Sequence, residues 1–594
     1  MKHRWIVIVL SLVVTASLLL AACQPAPTPT PVVKTQAPAQ PTAVPPTAVP
    51  PTKAPEPTKA PEPTKAPTAA PTVAPTKAPA GSKLEAPNCD YGGTMKAIEV
   101  LDPYTIKFTF CVPEVAFLGK ISLPGYSILD KEFLNKTGGD TAKINPKPVG
   151  TGPYVVKEYQ RGTQIIFEPN PNYWGPKVKN TQLIFKWNKE AAARLLELKS
   201  GNVDIIDNPG TDDLKAIKAD PKLKLYNRPT PNILYLGINN TIKPFDNEKV
   251  RQAFAIGLDR ERIVKNFYPE GSLVAQQAVP PTVKPGYTDG LTWPKYDKAA
   301  ALKLLQEANF DFKQEIKLYY AERTRAYFPQ PTKIAQDIQA QYKDLGINIK
   351  LELMEWAAYL PFTREGKAPL FLLGWGEDYP DATNWYDVFF TGASKSLGNP
   401  HPEIVEQIKI GATNADPAVR QKAYDAINKI FPVKVPWISI AHSVTAMAAK
   451  ADLENVLVGP YNENFQDMVT KSGKVVFSGN GEPVGLFCAD ETDGDSFRAC
   501  DLIYDTLYAF KFGTGETAPS LAEKCAPNEK LTEWTCTLRK DVKFSDGSTF
   551  DAEDVFATFV TMWDAKNPNH KGNSGNFQYW ADFFGGFLNP PAKK

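Results

Sequence analysis

Histidine is scarce among the chemically reactive residues of this 594-residue sequence. The four histidines, His3, His401, His442 and His570, are scattered along the chain, which disfavours a polyhistidine metal centre and histidine-dependent catalysis. A phosphate-binding loop, a Gly-x-Ser-x-Gly elbow and a His-Glu-x-x-His pair are also missing from the sequence. These absences predict a protein that is not an enzyme and needs no cofactor and no metal. The many carboxylates leave a glycosidase-like pair open.

An excess of charge of one sign is missing as well. The 67 Lys and Arg residues nearly balance the 65 Asp and Glu residues, for a net charge of +2. The body of the chain has no basic run, so nucleic acid is not predicted as a partner. A Cys-x-x-Cys pair is absent too, which argues against a structural zinc site.

The amino terminus has the composition of an export signal. Three basic side chains lie within Met1–Arg4, and Trp5–Leu20 is apolar apart from two serines and a threonine. This run is short for a membrane span and is followed at once by a processing site. Leu20–Cys23 resembles the lipobox of bacterial lipoproteins. We therefore predict a signal peptide at 1–22, lipidation of Cys23 and anchoring on the extracytoplasmic face of the cell membrane. A plain secretory signal with an incidental cysteine is the alternative.

Proline is concentrated in one segment. Residues 24–82 hold 18 of the 55 prolines, largely in repeats of Pro-Thr-Ala-Val-Pro and Pro-Thr-Lys-Ala-Pro-Glu. Because proline fixes φ and has no amide donor, neither a helix nor a sheet can form there. We predict that 23–82 form a lipidated, disordered linker of polyproline II character with a reach of roughly 180 Å.

Six cysteines remain on the body of the chain once Cys23 is set aside. An even number on an exported protein favours disulfides over metal thiolates. The sequence does not fix the connectivity, but local spacing suggests three short loops. The suggested pairs are Cys89 with Cys111, Cys488 with Cys500, and Cys525 with Cys536. We predict that the acidic stretch Asp490–Asp495 is a solvated loop, with metal binding as the alternative.

Helical and strand-like patterns alternate through the body. Four segments have helical spacing and are followed by a short strand-like run: Glu190–Ser200, Lys298–Ala308, Ile334–Leu345 and Pro417–Ile430. The pattern predicts an α/β protein with open, partly parallel sheets covered by helices. Pro369–Leu373 is a further predicted strand that ends at Gly374. Ligands of such sheets usually lie beyond the carboxyl ends of strands, so the loop after Leu373 is a predicted place for a site.

Several motifs resemble a known family when their order and spacing are considered together. They are Pro148–Tyr154, Asn170–Gly175, Leu198–Ile206, Asn239–Ile263 and Gly374–Asp381. In this order they resemble the peptide-type solute-binding proteins of ABC importers, which include oligopeptide-, dipeptide- and nickel-binding proteins. The resemblance spans nearly all of 83–470. It implies a two-lobed, type II periplasmic-binding-protein-like fold that closes over a ligand by a hinge.

The order of the motifs then departs from that family. Leu502–Leu507 and Thr537–Val555 resemble segments that normally lie near the mature amino terminus, yet here they come last. The ending Phe583–Pro591 resembles what normally precedes the beginning at Ala86–Cys89. We predict a circular permutation in which the usual termini are joined around Thr470–Val475. An unrelated carboxyl-terminal domain is the alternative.

The resemblance also implies a domain layout. Residues 83–148 and 501–594 would form the small, permuted domain of the first lobe. Residues 149–244 and 451–500 would form its sheet domain, and residues 245–450 would form the second lobe.

Five residues are predicted to bind the ligand. In peptide-binding members of the family, the acidic residue of the Gly-Trp-x-x-Asp loop pairs with the α-ammonium group, and here that residue is Asp378. A loop-structuring carboxylate is the alternative. Trp375 would offer an apolar wall or a cation–π face, with plain core packing as the alternative, and Tyr379 is a weaker candidate. Arg323 and Arg325 lie near where dipeptide binders place an arginine for the carboxylate, with a solvated surface position as the alternative.

The predicted function is capture of a peptide-like solute, an oligopeptide or a dipeptide, and its delivery to ABC permease subunits by a monomeric, membrane-anchored receptor. A nickel chelate or a sugar is an alternative ligand. Outside the binding class, the alternatives are a wall-tethered hydrolase that uses paired carboxylates and a structural adhesin.

Overall fold

The computed structural model describes residues 81–228, 231–392 and 395–590. The predicted signal peptide at 1–22, the lipidation site Cys23 and the linker up to residue 80 lie outside the described residues. Within the described part, the helices are each too short or too polar to cross a membrane.

Twenty strands are found in the described residues. In chain order they are β1 (Lys83–Glu85), β2 (Met95–Asp102), β3 (Thr105–Phe110), β4 (Tyr154–Gln160), β5 (Gln164–Pro169), β6 (Gln182–Trp187), β7 (Ile205–Asp207), β8 (Leu223–Arg228), β9 (Asn232–Ile238), β10 (Leu273–Val274), β11 (Glu315–Ala321), β12 (Asn348–Met354), β13 (Leu370–Gly376), β14 (Trp437–His442), β15 (Thr445–Lys450), β16 (Lys474–Gly479), β17 (Tyr508–Phe510), β18 (Thr517–Pro519), β19 (Ala522–Pro527) and β20 (Glu533–Leu538).

Sixteen α-helices accompany the strands in the same residues. They are α1 (Phe117–Lys120), α2 (Lys131–Thr137), α3 (Thr141–Ile144), α4 (Ala191–Ser200), α5 (Leu214–Ala219), α6 (Glu248–Ile256), α7 (Arg260–Phe267), α8 (Lys298–Glu307), α9 (Pro331–Asp344), α10 (Trp356–Arg364), α11 (Thr383–Phe390), α12 (Pro402–Thr413), α13 (Pro417–Lys434), α14 (Gly494–Ile503), α15 (Ala552–Trp563) and α16 (Gln578–Phe584).

Two large hydrophobic cores divide the described body into two lobes. The first lobe, residues 81–228 and 445–590, contains a seven-stranded sheet in the order β4-β5-β6-β16-β7-β15-β8 and a five-stranded sheet. The second lobe, residues 231–443, contains a six-stranded sheet in the order β10-β14-β9-β13-β11-β12. Both larger sheets mix parallel and antiparallel pairs, which confirms the predicted α/β class with partly parallel sheets.

The chain crosses between the lobes twice. β8 ends at Arg228 and β9 begins at Asn232, while β14 ends at His442 and β15 begins at Thr445. The Asn232 side chain donates to the Ser443 carbonyl oxygen (2.8 Å) and accepts from the Ser443 amide (2.9 Å), so the two crossings are tied together. They lie earlier in the chain than the boundaries drawn at 244/245 and 450/451. Strand pairing is the reason, because β9 pairs with β13 and β14 whereas β15 pairs with β7 and β8.

The five-stranded sheet joins the beginning of the described body to its end. Its order is β1-β2-β3-β20-β19, and β3 pairs directly with β20 in antiparallel register. Gly93 and Gly585 form a further antiparallel bridge. Residues near 83–110 and residues near 520–590 therefore share one core.

Local predictions of secondary structure hold best where the pattern is amphipathic. The helix predicted at Glu190–Ser200 is α4, and Asp416 caps α13 by accepting from the Ala418 amide at 2.8 Å. The strand predicted to end at Gly374 instead continues to Gly376, because its last residues still pair with β9.

Three disulfides lie within the described residues. They join Cys89 to Cys111, Cys488 to Cys500, and Cys525 to Cys536, which confirms the three suggested short loops. The prediction of a solvated loop after Cys488 was wrong for its first two residues, because Asp490 and Glu491 are each 4% exposed. The Asp490 carboxylate accepts hydrogen bonds from the backbone amides of Ser574, Gly575, Asn576 and Phe577, and this explains its burial without a metal.

Candidate functional site

β13 contains a close approach that only glycine permits, two residues before the strand ends at Gly376. A Cβ at Gly374 would lie 2.2 Å from the Tyr327 ring and 2.3 Å from the Ile233 carbonyl oxygen. Both distances are far below van der Waals contact, so Gly374 lets Tyr327 pack onto the strand. The segment that carries Arg323 and Arg325 is thereby held beside the start of the loop.

Asn384 organises the loop from the first turn of α11. Its side chain is fully buried. The Asn384 Oδ1 accepts from the Trp375 indole (3.1 Å) and from the Asp378 amide (2.9 Å), while its Nδ2 donates to Asp378 Oδ2 at 3.1 Å. One amide side chain thus fixes the relative positions of two predicted ligand-binding residues.

The Asp378 carboxylate lies at the boundary between the lobes. The Tyr579 hydroxyl, which belongs to α16 of the first lobe, donates to its Oδ1 at 2.8 Å. No Lys, Arg or His of the described chain pairs with Asp378. Burial raises the pKa of Asp378 to about 7, even though the hydrogen bonds from Asn384 and Tyr579 favour the charged form. A cationic ligand group would supply the missing counter-charge.

Trp375 and Tyr379 differ in exposure. Trp375 is half-buried, and its ring meets Phe389 edge-on at 5.2 Å. Tyr379 is only 3% exposed and contributes its ring to the core of the first lobe, where it lies perpendicular to Phe583 at 4.9 Å. Tyr379 belongs to the second lobe and Phe583 to the first, so this contact joins the two lobes.

Arg323 and Arg325 both lie over the Trp356 ring. Their guanidinium carbons are 5.3 Å and 4.8 Å from the centre of the Trp356 ring. Arg323 is exposed and Arg325 is half-buried, and neither forms an ion pair with another described residue. Partial desolvation of its guanidinium group over the Trp356 ring, together with repulsion from Arg325, lowers the pKa of Arg323. The pair therefore offers unpaired positive charge, although no direct contact joins it to Trp375 or Asp378 in the described structure.

A second carboxylate of the loop is bound from both lobes. Glu377 is 9% exposed; its Oε1 accepts from the Trp385 indole at 3.0 Å, and its Oε2 accepts from the Tyr461 hydroxyl of the first lobe. Burial raises the pKa of Glu377 to about 8.

Comparison with known proteins decides the family. The model of the bacterial extracellular solute-binding proteins, family 5 middle region, matches residues 36–396 and 516–584, which is well over half of the chain. The chain belongs to the family 5 solute-binding proteins. This confirms the predicted resemblance and places the chain in a family of binding proteins rather than enzymes.

Relatives of this family 5 protein are named after different ligands. The di/tripeptide-binding protein 1 of Pseudomonas aeruginosa is 32% identical over 375 residues, which cover 62% of this chain and 70% of that protein. The heme-binding protein A of Haemophilus influenzae is 28% identical over 390 residues, which cover 64% and 70%. A crystal structure of the dipeptide-binding protein of a Pseudoalteromonas species in complex with Met-Leu aligns with a TM-score of 0.58 and 25% identity, covering 64% of this chain and 76% of that one.

Sequence reasoning missed three side chains of the site. Asn384 lies in a largely apolar helix and belongs to none of the motifs identified in the sequence, because its role depends on the fold of the preceding loop. Tyr579 lies 201 positions from Asp378, so local pattern could not pair them. Tyr461 lies 84 positions from Glu377 for the same reason.

One cluster of acidic side chains lies away from the loop that follows β13. In the described residues, one group, Asp130, Glu132 and Asp554, brings carboxylate oxygens within 4.8 Å of one another. Both carboxylate oxygens of Asp554 accept hydrogen bonds from backbone amides, one from Lys131 and one from Asp551. These hydrogen bonds explain why the three carboxylates lie close together, because Asp130 caps α2 and Asp554 belongs to the capping box of α15.

Proposed function

We propose that this protein captures a peptide-like solute between its two lobes and delivers it to an ABC importer. The observation that carries the proposal is the half-buried Asp378 carboxylate at the lobe boundary, which has hydrogen-bond donors but no cationic partner among the described residues. An α-ammonium group of a ligand would complete that site as a charge-assisted hydrogen bond.

The ligand's other end would be negatively charged. Arg323 and Arg325 present two guanidinium groups on Trp356 without carboxylate partners in the described chain. Arginine suits a carboxylate because its planar fork donates two parallel hydrogen bonds. The di/tripeptide-binding relative and the structure that holds Met-Leu support a short peptide as the ligand class. Trp375, edge-on to Phe389, would form an apolar wall of the same site, and Tyr379 would pack the lobes rather than contact the ligand.

Native mass spectrometry tests the ligand class directly. The protein is purified gently from its own cells and weighed with its cargo, and the released cargo is sequenced. We expect masses that correspond to short peptides. A single species with the mass of a metal chelate, a heme or a sugar would overturn the proposal of a peptide ligand.

Cys23 would hold this monomeric receptor at the membrane, and residues 24–82 would act as its tether. The support comes from the lipobox-like Leu20–Cys23 and the proline repeats. Replacing Cys23→Ser should move the protein from the membrane fraction to the medium, or to the periplasm. Retention in the membrane fraction at wild-type level would contradict the anchor.

A circularly permuted gene would explain the order of the motifs. The support is that β1–β3 and β19–β20 form one sheet, with Gly93 bridged to Gly585. The turn around Thr470–Val475 would then be the place where the usual termini are joined. Lys471 and Ser472 in this turn are exposed, as a surface junction requires.

A further inference from the structure

The Glu377–Tyr461 hydrogen bond spans the two lobes beside the predicted ligand site. Tyr461 is fixed by the first lobe, because its ring stacks on Phe510 with centroids 4.3 Å apart and planes at 25°. A Cβ at Gly515 would lie 2.7 Å from Cε2 of the same ring. Contacts within the first lobe therefore fix the position of the Tyr461 ring.

Contacts within the second lobe hold Glu377 in place. Its amide donates to the Pro231 carbonyl oxygen at 2.9 Å, next to one crossing between the lobes, and its carboxyl accepts from Trp385. No cation of the described chain pairs with Glu377. The neighbouring charges are those of Asp378 and Asp381, and Asp381 is itself paired with Arg420 at 2.7 Å. The surroundings of Glu377 thus favour a neutral carboxyl group that shares a hydrogen bond with Tyr461.

We propose that Glu377 and Tyr461 form a closing contact, which draws the lobes together without a ligand and positions the loop so that Asp378 faces the cleft. The positioning part rests on the proposed function, whereas the closing part does not. Opening the lobes would separate the two groups and expose both to water. Neither residue needs to touch the ligand, so they act as positioning residues.

This contact makes closure sensitive to pH. Burial in the closed state raises the pKa of Glu377 to about 8, from an ordinary value of 4.5. A carboxyl group that ionises more readily in the open state favours opening as the pH rises. The contribution of Glu377 to closure is therefore complete below about pH 4.5 and is lost progressively up to about pH 8. Asp378, whose pKa is about 7, adds a similar effect at lower pH.

Small-angle scattering of the ligand-free protein between pH 5 and pH 9 tests the contact. The variants are Tyr461→Phe, which removes one hydroxyl, and Glu377→Gln, which stays neutral at every pH. Tyr296→Phe is the matched control, because Tyr296 is an exposed tyrosine. We expect the wild type and the control to expand as the pH rises, Y461F to be expanded already at pH 6, and E377Q to show no further expansion above pH 7.

Ligand binding gives the second readout. The Y461F variant should bind a dipeptide roughly three- to tenfold more weakly than the wild type, the loss expected for one neutral hydrogen bond. Scattering of Y461F identical to the wild type at each pH, or an unchanged pH response in E377Q, would overturn the closing contact. A wild type that expands with pH as expected but binds no peptide would instead refute the proposed function.

Discussion

At the scale of single residues, Asp378 and Asp381 differ in that no Lys, Arg or His of the described residues pairs with the Asp378 carboxylate. Asp381, three positions later, is bound by Arg420 through both carboxylate oxygens, at 2.7 Å and 2.9 Å. Asp381 therefore has the loop-structuring role that was the alternative for Asp378. Asp378 also helps to order the loop through Asn384, but its charge remains uncompensated.

Replacing Asp378→Asn should weaken the binding of a dipeptide with a free amino group by about 30-fold or more, because a desolvated charge pair loses one partner. The ratio of the wild-type affinity to that of D378N should rise between pH 6 and pH 8, because the pKa of Asp378 is about 7 and only the ionised form attracts an ammonium group, whereas the Glu377–Tyr461 contact is common to both proteins. Isothermal titration at several pH values measures both effects.

The control for this substitution is Asp541→Asn, which changes an exposed aspartate of the first lobe. It should leave the affinity and its pH dependence unchanged. If D378N bound the dipeptide as tightly as D541N does, the ammonium-binding role of Asp378 would be refuted.

At the scale of elements, β13 supports the site only if Tyr327 can pack closely against Gly374. Replacing Gly374→Ala should destabilise the protein by about 1–3 kcal/mol, because the added Cβ overlaps both Tyr327 and the Ile233 carbonyl oxygen. Gly376→Ala is the matched control, since a Cβ there meets nothing within 4 Å and Gly376 does not have a positive φ. Urea unfolding measures the difference. Equal unfolding free energies for the two variants would show that the close approach at Gly374 is not needed.

The same scale shows what the sequence could and could not predict. Periodicity was sufficient for α4 and β13, because each buries one face or both along a continuous run. It was insufficient for Asp490, whose partners are amides 84 to 87 positions away in Ser574–Phe577. The same limit applies to Tyr579, which reaches Asp378 from another lobe. Charged and aromatic residues whose function comes from tertiary contact leave no periodic signal.

At the scale of the whole molecule, the proposed circular permutation predicts that the order of the chain can be changed while the fold is kept. A rearranged gene that joins residue 590 to residue 81 by a short glycine linker and opens the chain between Lys471 and Ser472 should fold and bind peptide within about threefold of the natural chain. Exposed turns tolerate such cuts because few contacts cross them. Circular dichroism and titration would check this. An unfolded product would argue against the proposed permutation.

Ligand-induced closure is the property on which the whole account depends, and scattering with paired peptides measures it most directly. A dipeptide and its N-acetylated form differ only in the ammonium group that Asp378 is proposed to bind. We expect the free dipeptide to reduce the radius of gyration of the wild type, the acetylated form to leave it unchanged, and the D378N variant to respond to neither. Equal compaction by both forms, or no compaction across a peptide library at a pH where the ligand-free lobes are open, would contradict the account.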